Sequence, residues 1–319
     1  MHGKENQSPH WDRKTPSSEA CLSPPVNCIW GAFGKASNMA QRNSCCSSSS
    51  AVVQEEPSRT SKRTVRKPGG REPLLLVSGG LLLCVGLVAS GVFDGVHTEV
   101  GYEYYAEPTV SGLPAALAMP ANCLVNLAYL FLGWHWLPPG DERGEACYLQ
   151  EVFALMALAY GPVQWVRLWT QHHWAAVLDQ WLTLPIFAWG VVWCHFLEHG
   201  WQPGTFLAME AVSLTSYVLA LLHPQGFELA LSGHIFIIVW RALKVQRHLG
   251  NATSAWILVL GLVSCLGFVS LKLWDQELAQ WAPFRRLTGH FWSKICDVLQ
   301  FHFAFLFFTQ LSRRKLWSW

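Results

Sequence analysis

The sequence predicts an all-α polytopic membrane protein, with a seven-helix bundle core preceded by one extra N-terminal transmembrane helix. Hydrophobic residues make up 51% of the 319 residues and charged residues only 14%, against roughly 25% charged residues in soluble domains. Apolar segments follow one another almost without interruption from Leu74 onward. A hydrocarbon core about 30 Å thick requires about 20 apolar residues in a helix, and these segments supply that length.

The segment before the first span, residues 1–73, is rich in serine, proline and charge, including "NSCCSSSS" and "RTSKRTVRKPGGR". It has too few apolar residues to offset the entropy lost on ordering, so composition predicts a disordered leader. A role as a binding tail is the alternative. The length and polarity of the leader argue against the front of an ordinary cleaved signal peptide.

A transmembrane domain is predicted over 74–311 and a short basic tail over 312–319. The apolar stretches of the third and sixth spans are short and end at Arg167 and Arg241. The predicted spans lie near residues 74–93, 115–137, 150–168, 176–197, 205–223, 228–244, 254–273 and 288–310.

Basic residues predict the orientation, because Lys and Arg concentrate in cytosolic loops. They cluster before Leu74, between Arg241 and Arg247, and in the tail. Both termini are therefore expected in the cytosol, which requires an even number of spans. The sequon at Asn251 then lies in a cytosolic loop, where glycosylation does not occur, so we expect Asn251 to be unmodified.

Charge and cysteine content argue against two classes of function. A formal net charge of +2 gives no basis for binding nucleic acid. The ten cysteines contain no CxxC pair and no metal-finger spacing, so no disulfide framework or zinc finger is expected.

Polar residues inside the spans are the candidates for function, since ionisable groups in a membrane are costly and usually face the bundle interior. Each also has a structural interpretation, as interhelical hydrogen-bond partners or as side chains that reach the interface. In chain order they are Asn122 and Asn126 in the second span, Asp179 in the fourth, Glu210 in the fifth, His234 in the sixth, Lys272 at the end of the seventh, and His290, Lys294 and Asp297 in the eighth.

His290, Lys294 and Asp297 are spaced three and four residues apart, which places them on one face of a helix, whereas His302 points away. Two histidines four apart would suit zinc, but the residue four after His290 is Lys294. A protonated lysine has no lone pair and repels a cation, so the spacing argues against a zinc site. We expect Lys294 and Asp297 to neutralise each other across one turn.

Five segments carry a resemblance to a known family: "GYEYYAEP", "AYGPVQWVRLWTQ", "AVLDQWLTLPIFAW", "LLHPQGFELAL" and "LTGHFWSKICDVLQFHFAFLF". They resemble the transmembrane protein 187 family over about Leu74 to Gln310. This resemblance implies a multi-pass membrane protein and no particular biochemical activity.

The last seven spans more distantly resemble the seven-helix superfamily of alkaline ceramidases, progestin and adipoQ receptors and Per1-type lipid-remodelling proteins. Glu107, Asn122 and Asn126 match its first core helix, "VLDQWL" with Asp179 matches its third, and His290 matches its last. For the enzymes of that superfamily, the resemblance implies a zinc ion whose water attacks a lipid amide.

The departures from that superfamily fall on the metal ligands. The expected Ser-x-x-x-His pair is absent. Arg167 or Thr170 stands near the place of its histidine, and Lys294 replaces the second histidine of the last helix. We hypothesise that the cations Arg167 and Lys294 take the electrostatic role of the metal and neutralise Asp179 and Asp297. Lys294→Ala is then expected to destabilise the bundle, whereas Lys294→His is expected to be tolerated.

Three functions compete. The first is a non-catalytic protein that binds membrane lipids or membrane-protein partners without a cofactor, in the Golgi or endoplasmic reticulum. The second is a zinc-dependent intramembrane lipid amidase, in which Asp179 and His290, with His172 or Glu107, hold the metal. The third is an ion- or proton-coupled transporter that uses Glu210, His234, Asp179 and Lys294.

Overall fold

A computed structural model describes residues 70–139 and 144–317, and within these ranges the regular structure is helical. The predicted leader falls on residues outside this part of the chain, apart from its last few. The helices are α1 (Glu72–Ala89), α2 (Pro120–Val125), α3 (Leu127–Trp136), α4 (Glu145–Thr170), α5 (His173–His199), α6 (Pro203–Ser216), α7 (Leu219–Leu222), α8 (Gly226–Leu249), α9 (Ala252–Leu273), α10 (Asp275–Leu278) and α11 (Gly289–Trp317).

Seven of the described segments are long and apolar enough to cross a membrane, which confirms the prediction of a polytopic helical protein. Helices α6 and α7 together form one such segment, Pro203–Leu222. Helix α11 continues beyond the predicted end at residue 310, so part of the predicted tail is helical. The other spanning segments are Glu72–Ala89, Glu145–Thr170, His173–His199, Gly226–Leu249, Ala252–Leu273 and Gly289–Lys315.

The predicted second span, 115–137, differs from the expectation of one continuous helix. It forms α2 and α3, which meet at Asn126. The Asn126 side chain donates from Nδ2 to the carbonyl of Asn122 at 3.1 Å, while its backbone N–H bonds to Cys123 at 3.3 Å. The side chain thus takes the carbonyl that a regular helix would use, and such competition breaks helices. The arrangement of seven spans plus one stays a prediction.

Helix α5 forms the centre of the bundle. In the apolar stretch of α5, 83% of the residues are buried, compared with 17% in the corresponding stretches of α1, α8 and α9. It packs against α4, α6, α8 and α11, while α9 packs mainly on α11. The outer helices therefore turn apolar side chains away from the protein, as expected for helices that face lipid.

Buried aromatic side chains hold α4, α5 and α11 together. Trp193 on α5 stacks on Phe308 of α11, with ring centroids 5.0 Å apart, and donates its indole N–H to Ser312 at 3.1 Å. Trp189 donates to the backbone carbonyl of Leu149 on α4 at 2.9 Å. Large apolar rings with satisfied N–H groups make this a well-specified core.

Candidate functional site

The polar cluster begins with an ion pair between α4 and α5. The chain reverses between these helices at Gln171, whose φ of 49° is left-handed, so the end of α4 lies beside the start of α5. Arg167 and Asp179 meet there, with 2.6 Å between Nη1 and Oδ2. Both side chains are largely buried, so the pair is formed away from bulk water. The sequence predicted that Arg167 neutralises Asp179, and the two side chains are in contact.

Lys294 and Asp297 do not pair with each other, contrary to the expected neutralisation across one turn. Lys294 donates from Nζ to Oε1 of Gln164 on α4. Asp297 accepts a hydrogen bond from the Tyr129 hydroxyl on α3. The two side chains leave α11 toward different neighbouring helices, and packing across the bundle prevails over the local spacing. Both are buried.

Two tyrosines connect these contacts. The rings of Tyr129 and Tyr160 meet edge to face with centroids 5.4 Å apart, and Lys294 Nζ lies 5.9 Å from the Tyr160 ring centroid. Thr183 donates its only hydroxyl proton to the carbonyl of Asp179 at 2.9 Å. Tyr160 is therefore the donor in its 3.0 Å bond to Thr183. The cluster links α3, α4, α5 and α11.

Two carboxylates fix the loop after α1 to the helices of the cluster. Glu107 accepts hydrogen bonds from the backbone N–H groups of Ala121 and Asn122, both at 2.8 Å. Asp275 accepts from the backbone N–H groups of Ala106, at 2.9 Å, and His290, at 2.7 Å. Carboxylates are favoured at helix starts because the first N–H groups lack partners in the helix.

Glu107 is a buried carboxyl outside the spanning helices. Burial raises its pKa above the ordinary value, the two backbone N–H donors oppose that shift, and the negative charge of Asp275 adds to it. Sequence analysis proposed Glu107 as a binding residue. The structure places it as the partner of the first turn of α2, with both carboxylate oxygens occupied.

His290 lies beside cations and an aromatic ring. Its imidazole meets Tyr105 edge to face, with centroids 4.9 Å apart, and its ring nitrogens form no hydrogen bond with the described residues. Burial raises the pKa of the Tyr105 hydroxyl, and the nearby charge of Arg167 opposes that rise.

The residues present do not fit a zinc site. In the ranges that the structure describes, no group of three His, Cys, Asp or Glu side chains could hold a metal ion. The close neighbours of His290 include Lys294, which cannot ligate a cation while protonated. The zinc-dependent hydrolase hypothesis therefore has no set of three ligands among the described residues.

Asn122 and Asn126 are almost fully buried on one side of the cluster and lie in contact, as their spacing predicted. Several polar atoms of these two side chains have no hydrogen-bond partner among the described residues. Unpaired buried atoms in this region are Asn122 Nδ2 and Oδ1, Asn126 Oδ1, Gln164 Nε2 and Asp179 Oδ1.

Glu210 and His234 lie apart from this cluster. His234 donates from Nδ1 to the carbonyl of Ala230 at 2.7 Å, so Nε2 of the neutral ring accepts from the Ser213 hydroxyl at 2.9 Å, and both ring nitrogens are satisfied. Glu210 is buried on α6 and faces a separate cleft. Among the described residues, no hydrogen bond joins Glu210 to His234 or either of them to Asp179. The transport hypothesis stays a prediction.

Comparison with known proteins decides the family. A model described as the TMEM187 protein family matches residues 73–309. The chain belongs to the transmembrane protein 187 family. It is 62% identical to transmembrane protein 187 of Homo sapiens over 237 residues, covering 74% of this chain and 90% of that protein. It is 60% identical to the Bos taurus protein over 252 residues, covering 77% and 98%. No solved structure matches.

Membership in the TMEM187 family confirms the resemblance seen in the sequence, and it covers the whole polar cluster. The distant likeness to the seven-helix lipid-remodelling superfamily stays a prediction.

In this TMEM187 member, sequence reasoning missed Tyr129, Tyr160, Gln164 and Asp275. Tyr160, Gln164 and Arg167 are four and three residues apart, so they share one face of α4. This spacing was the signal that could have indicated Tyr160 and Gln164.

Proposed function

We propose that this TMEM187 family member is a non-catalytic membrane protein that binds lipid acyl chains. The observation that carries this proposal is an apolar cleft between the helix pair α5–α8 and the helix pair α9–α11. Its walls include Ile186, Ile238, Leu258, Phe303 and Phe308.

The occupant follows from the position of the cleft. Helix α8 packs on α5 and α9 packs on α11, while α8 and α9 contact each other only slightly. The gap lies between helices whose other faces are turned outward, where the surrounding solvent is hydrocarbon. An acyl chain of a membrane lipid matches walls that are almost entirely apolar.

The state of the polar cluster supports a non-catalytic role. Arg167 is paired with Asp179, Lys294 with Gln164, and Asp297 with Tyr129. Each of these charged groups therefore has a partner on another helix, as expected for polar side chains that hold membrane helices together. These contacts favour a structural role for the cluster over the hydrolase alternative.

The cellular setting is part of the same proposal. The protein resides in the Golgi or endoplasmic reticulum, with both termini in the cytosol. The basic residues between Arg241 and Arg247 and those from Arg313 to Lys315 support this orientation, because such residues mark cytosolic ends.

Photolabelling with a phospholipid that carries a diazirine in its acyl chain tests the proposal. Gly261 lines the cleft, and a Cβ there would lie 3.5 Å from Cβ of Phe303, an ordinary contact. Gly261→Leu fills the cleft, and we expect labelling of α9 and α11 peptides to fall about tenfold, which corresponds to about 1.4 kcal/mol.

Gly233→Leu is the matched control. Gly233 is exposed on α8, and a Cβ there would meet nothing within 4 Å. This variant should label like the unmodified protein. Equal labelling of Gly261→Leu and Gly233→Leu would contradict acyl-chain binding in this cleft.

A further inference from the structure

A second cleft lies between α1, α4, α5 and α6. Leu76 and Gly80 come from α1, Met156 from α4, and Ile186 from α5. Its wall also contains the carboxyl group of Glu210 on α6. This cleft is distinct from the polar cluster, whose charged groups do not line it.

Glu210 is a buried acid without a partner. The residue is only 7% exposed, and its Oε1 atom has no hydrogen-bond partner within the described ranges. The ion pairs of these ranges involve Asp179 and Glu198, not Glu210. A polar group buried without a hydrogen bond is costly, so a bound donor would stabilise this arrangement.

The rest of the wall supplies no such donor. Tyr160 lines the cleft, but its hydroxyl already donates to Thr183. The other lining side chains are apolar or glycine. A ligand of this cleft would therefore meet one hydrogen-bonding group at Glu210 and hydrocarbon elsewhere.

Space is available on the α1 side of the cleft. A Cβ on Gly80 would meet no atom within 4 Å. Glu210 lies seven residues after Pro203, about 10 Å along the helix axis, so it lies well inside the apolar segment Pro203–Leu222.

We propose that this cleft binds a lipid alcohol, whose hydroxyl exchanges hydrogen bonds with Glu210 and whose hydrocarbon part lies against α1 and α4. A hydroxyl and a neutral carboxyl each donate and accept, so no net charge is buried. A long-chain amine would bury an ammonium ion and a carboxylate, and desolvation offsets much of that attraction. The site goes beyond the acyl-chain cleft and does not depend on it.

The test uses the full chain in phosphatidylcholine vesicles that contain a photoreactive, alkyne-bearing cholesterol analogue. Glu210→Leu removes the hydrogen-bonding group, and we expect labelling to fall about tenfold. Glu210→Gln can still donate and accept, so its labelling should stay within about twofold of the unmodified protein.

Gly80→Leu tests the same cleft without touching Glu210. The new side chain extends into open space, and we expect the same loss of sterol labelling as in Glu210→Leu. Gly79→Leu is the matched control, because Gly79 is exposed on the adjacent position of α1 and also has nothing within 4 Å of its Cβ. It should label normally.

Two results would overturn the proposal. One is unchanged sterol labelling in both Glu210→Leu and Gly80→Leu. The other is labelling by a photoreactive long-chain amine that Glu210→Gln abolishes, which would assign the cleft to a cation. Acyl-chain labelling that depends on Gly261 is read separately in the same variants, so failure of one site is distinguishable from failure of the other.

Discussion

The buried charges of the polar cluster meet specific partners on other helices. Arg167 reaches Asp179 across the α4–α5 reversal, and Lys294 reaches Gln164 across the bundle. Removing charges from water is costly, and the attraction between them repays this cost only with good geometry. Such contacts specify how helices pack more than they add net stability.

The Arg167–Asp179 pair gives the first prediction. Arg167→Met leaves Asp179 buried without its cation and should lower the free energy of unfolding by about 3 kcal/mol. Arg167→Met combined with Asp179→Leu should lose less than Arg167→Met alone, because no unpaired charge remains. Denaturant unfolding of the purified protein in detergent measures both. If the stability lost in the double variant equals the sum of the losses in Arg167→Met and in Asp179→Leu, each measured alone, the pair is not the source of the effect.

Glu107 gives a prediction for pH dependence. Burial holds its pKa above the ordinary value of 4.5 in the folded protein, so the folded state binds a proton more tightly than the unfolded state. Its contribution to stability is therefore complete below pH 4.5 and decreases as pH rises through the raised folded value.

Thermal unfolding in detergent between pH 4 and pH 7 checks this prediction. Glu107→Gln cannot titrate, so the difference in stability between Glu107→Gln and the unmodified protein should change with pH over this window. A pH-independent difference would show that Glu107 does not titrate with a raised pKa.

At the scale of helices, asparagines set where two elements begin and break. Asn126 interrupts the predicted second span through its bond to Asn122. Asn251 begins α9 in a capping box: its side chain accepts from the Ser254 N–H at 2.8 Å, and the Ser254 hydroxyl accepts from the Asn251 N–H at 2.8 Å. The sequence motif that marks glycosylation thus serves here as a helix start.

The helix cap formed by Asn251 gives a prediction for the stability of α9. Asn251→Ala removes the cap and should cost about 1 kcal/mol, whereas Asn251→Asp keeps an acceptor and should cost little. Thermal unfolding of the two variants measures the difference. Equal stability of Asn251→Ala and Asn251→Asp would argue that the cap contributes nothing.

At the scale of the whole molecule, the membrane topology depends on whether α2 and α3 cross the membrane together. From Pro120 to Trp136 they extend about 25 Å at 1.5 Å a residue, short of the roughly 30 Å hydrocarbon core. If the N-terminus is cytosolic, crossing by α2 and α3 determines on which side of the membrane every later loop and the C-terminus lie.

Two added glycosylation sites test this topology. Thr109→Asn creates a sequon with Ser111 in the exposed loop after α1, and we expect glycosylation there. A sequon appended after Trp319 should stay unmodified if α2 and α3 cross. Gel mobility before and after glycosidase treatment reads both sites, with Thr109→Gln as the control. Modification at both sites would mean that α2 and α3 do not cross.

Hydropathy and length alone determined that this chain is a polytopic helical membrane protein and where its long helices lie. These properties are local: about 20 apolar residues form a spanning helix whatever surrounds them. The same reasoning predicted that ionisable residues within spans, such as Glu210, Lys294 and Asp297, would face inward, because lipid does not tolerate exposed charge.

Tertiary structure alone decided which partners these residues meet. Spacing favoured Lys294 with Asp297, yet Lys294 bonds to Gln164, which is 130 positions away in the chain. Glu107, expected in a binding site, became a cap for α2, and Glu210 was left alone beside an apolar cleft. Such pairings depend on the rotation and packing of helices that are distant in sequence, and no local pattern of residues encodes that geometry.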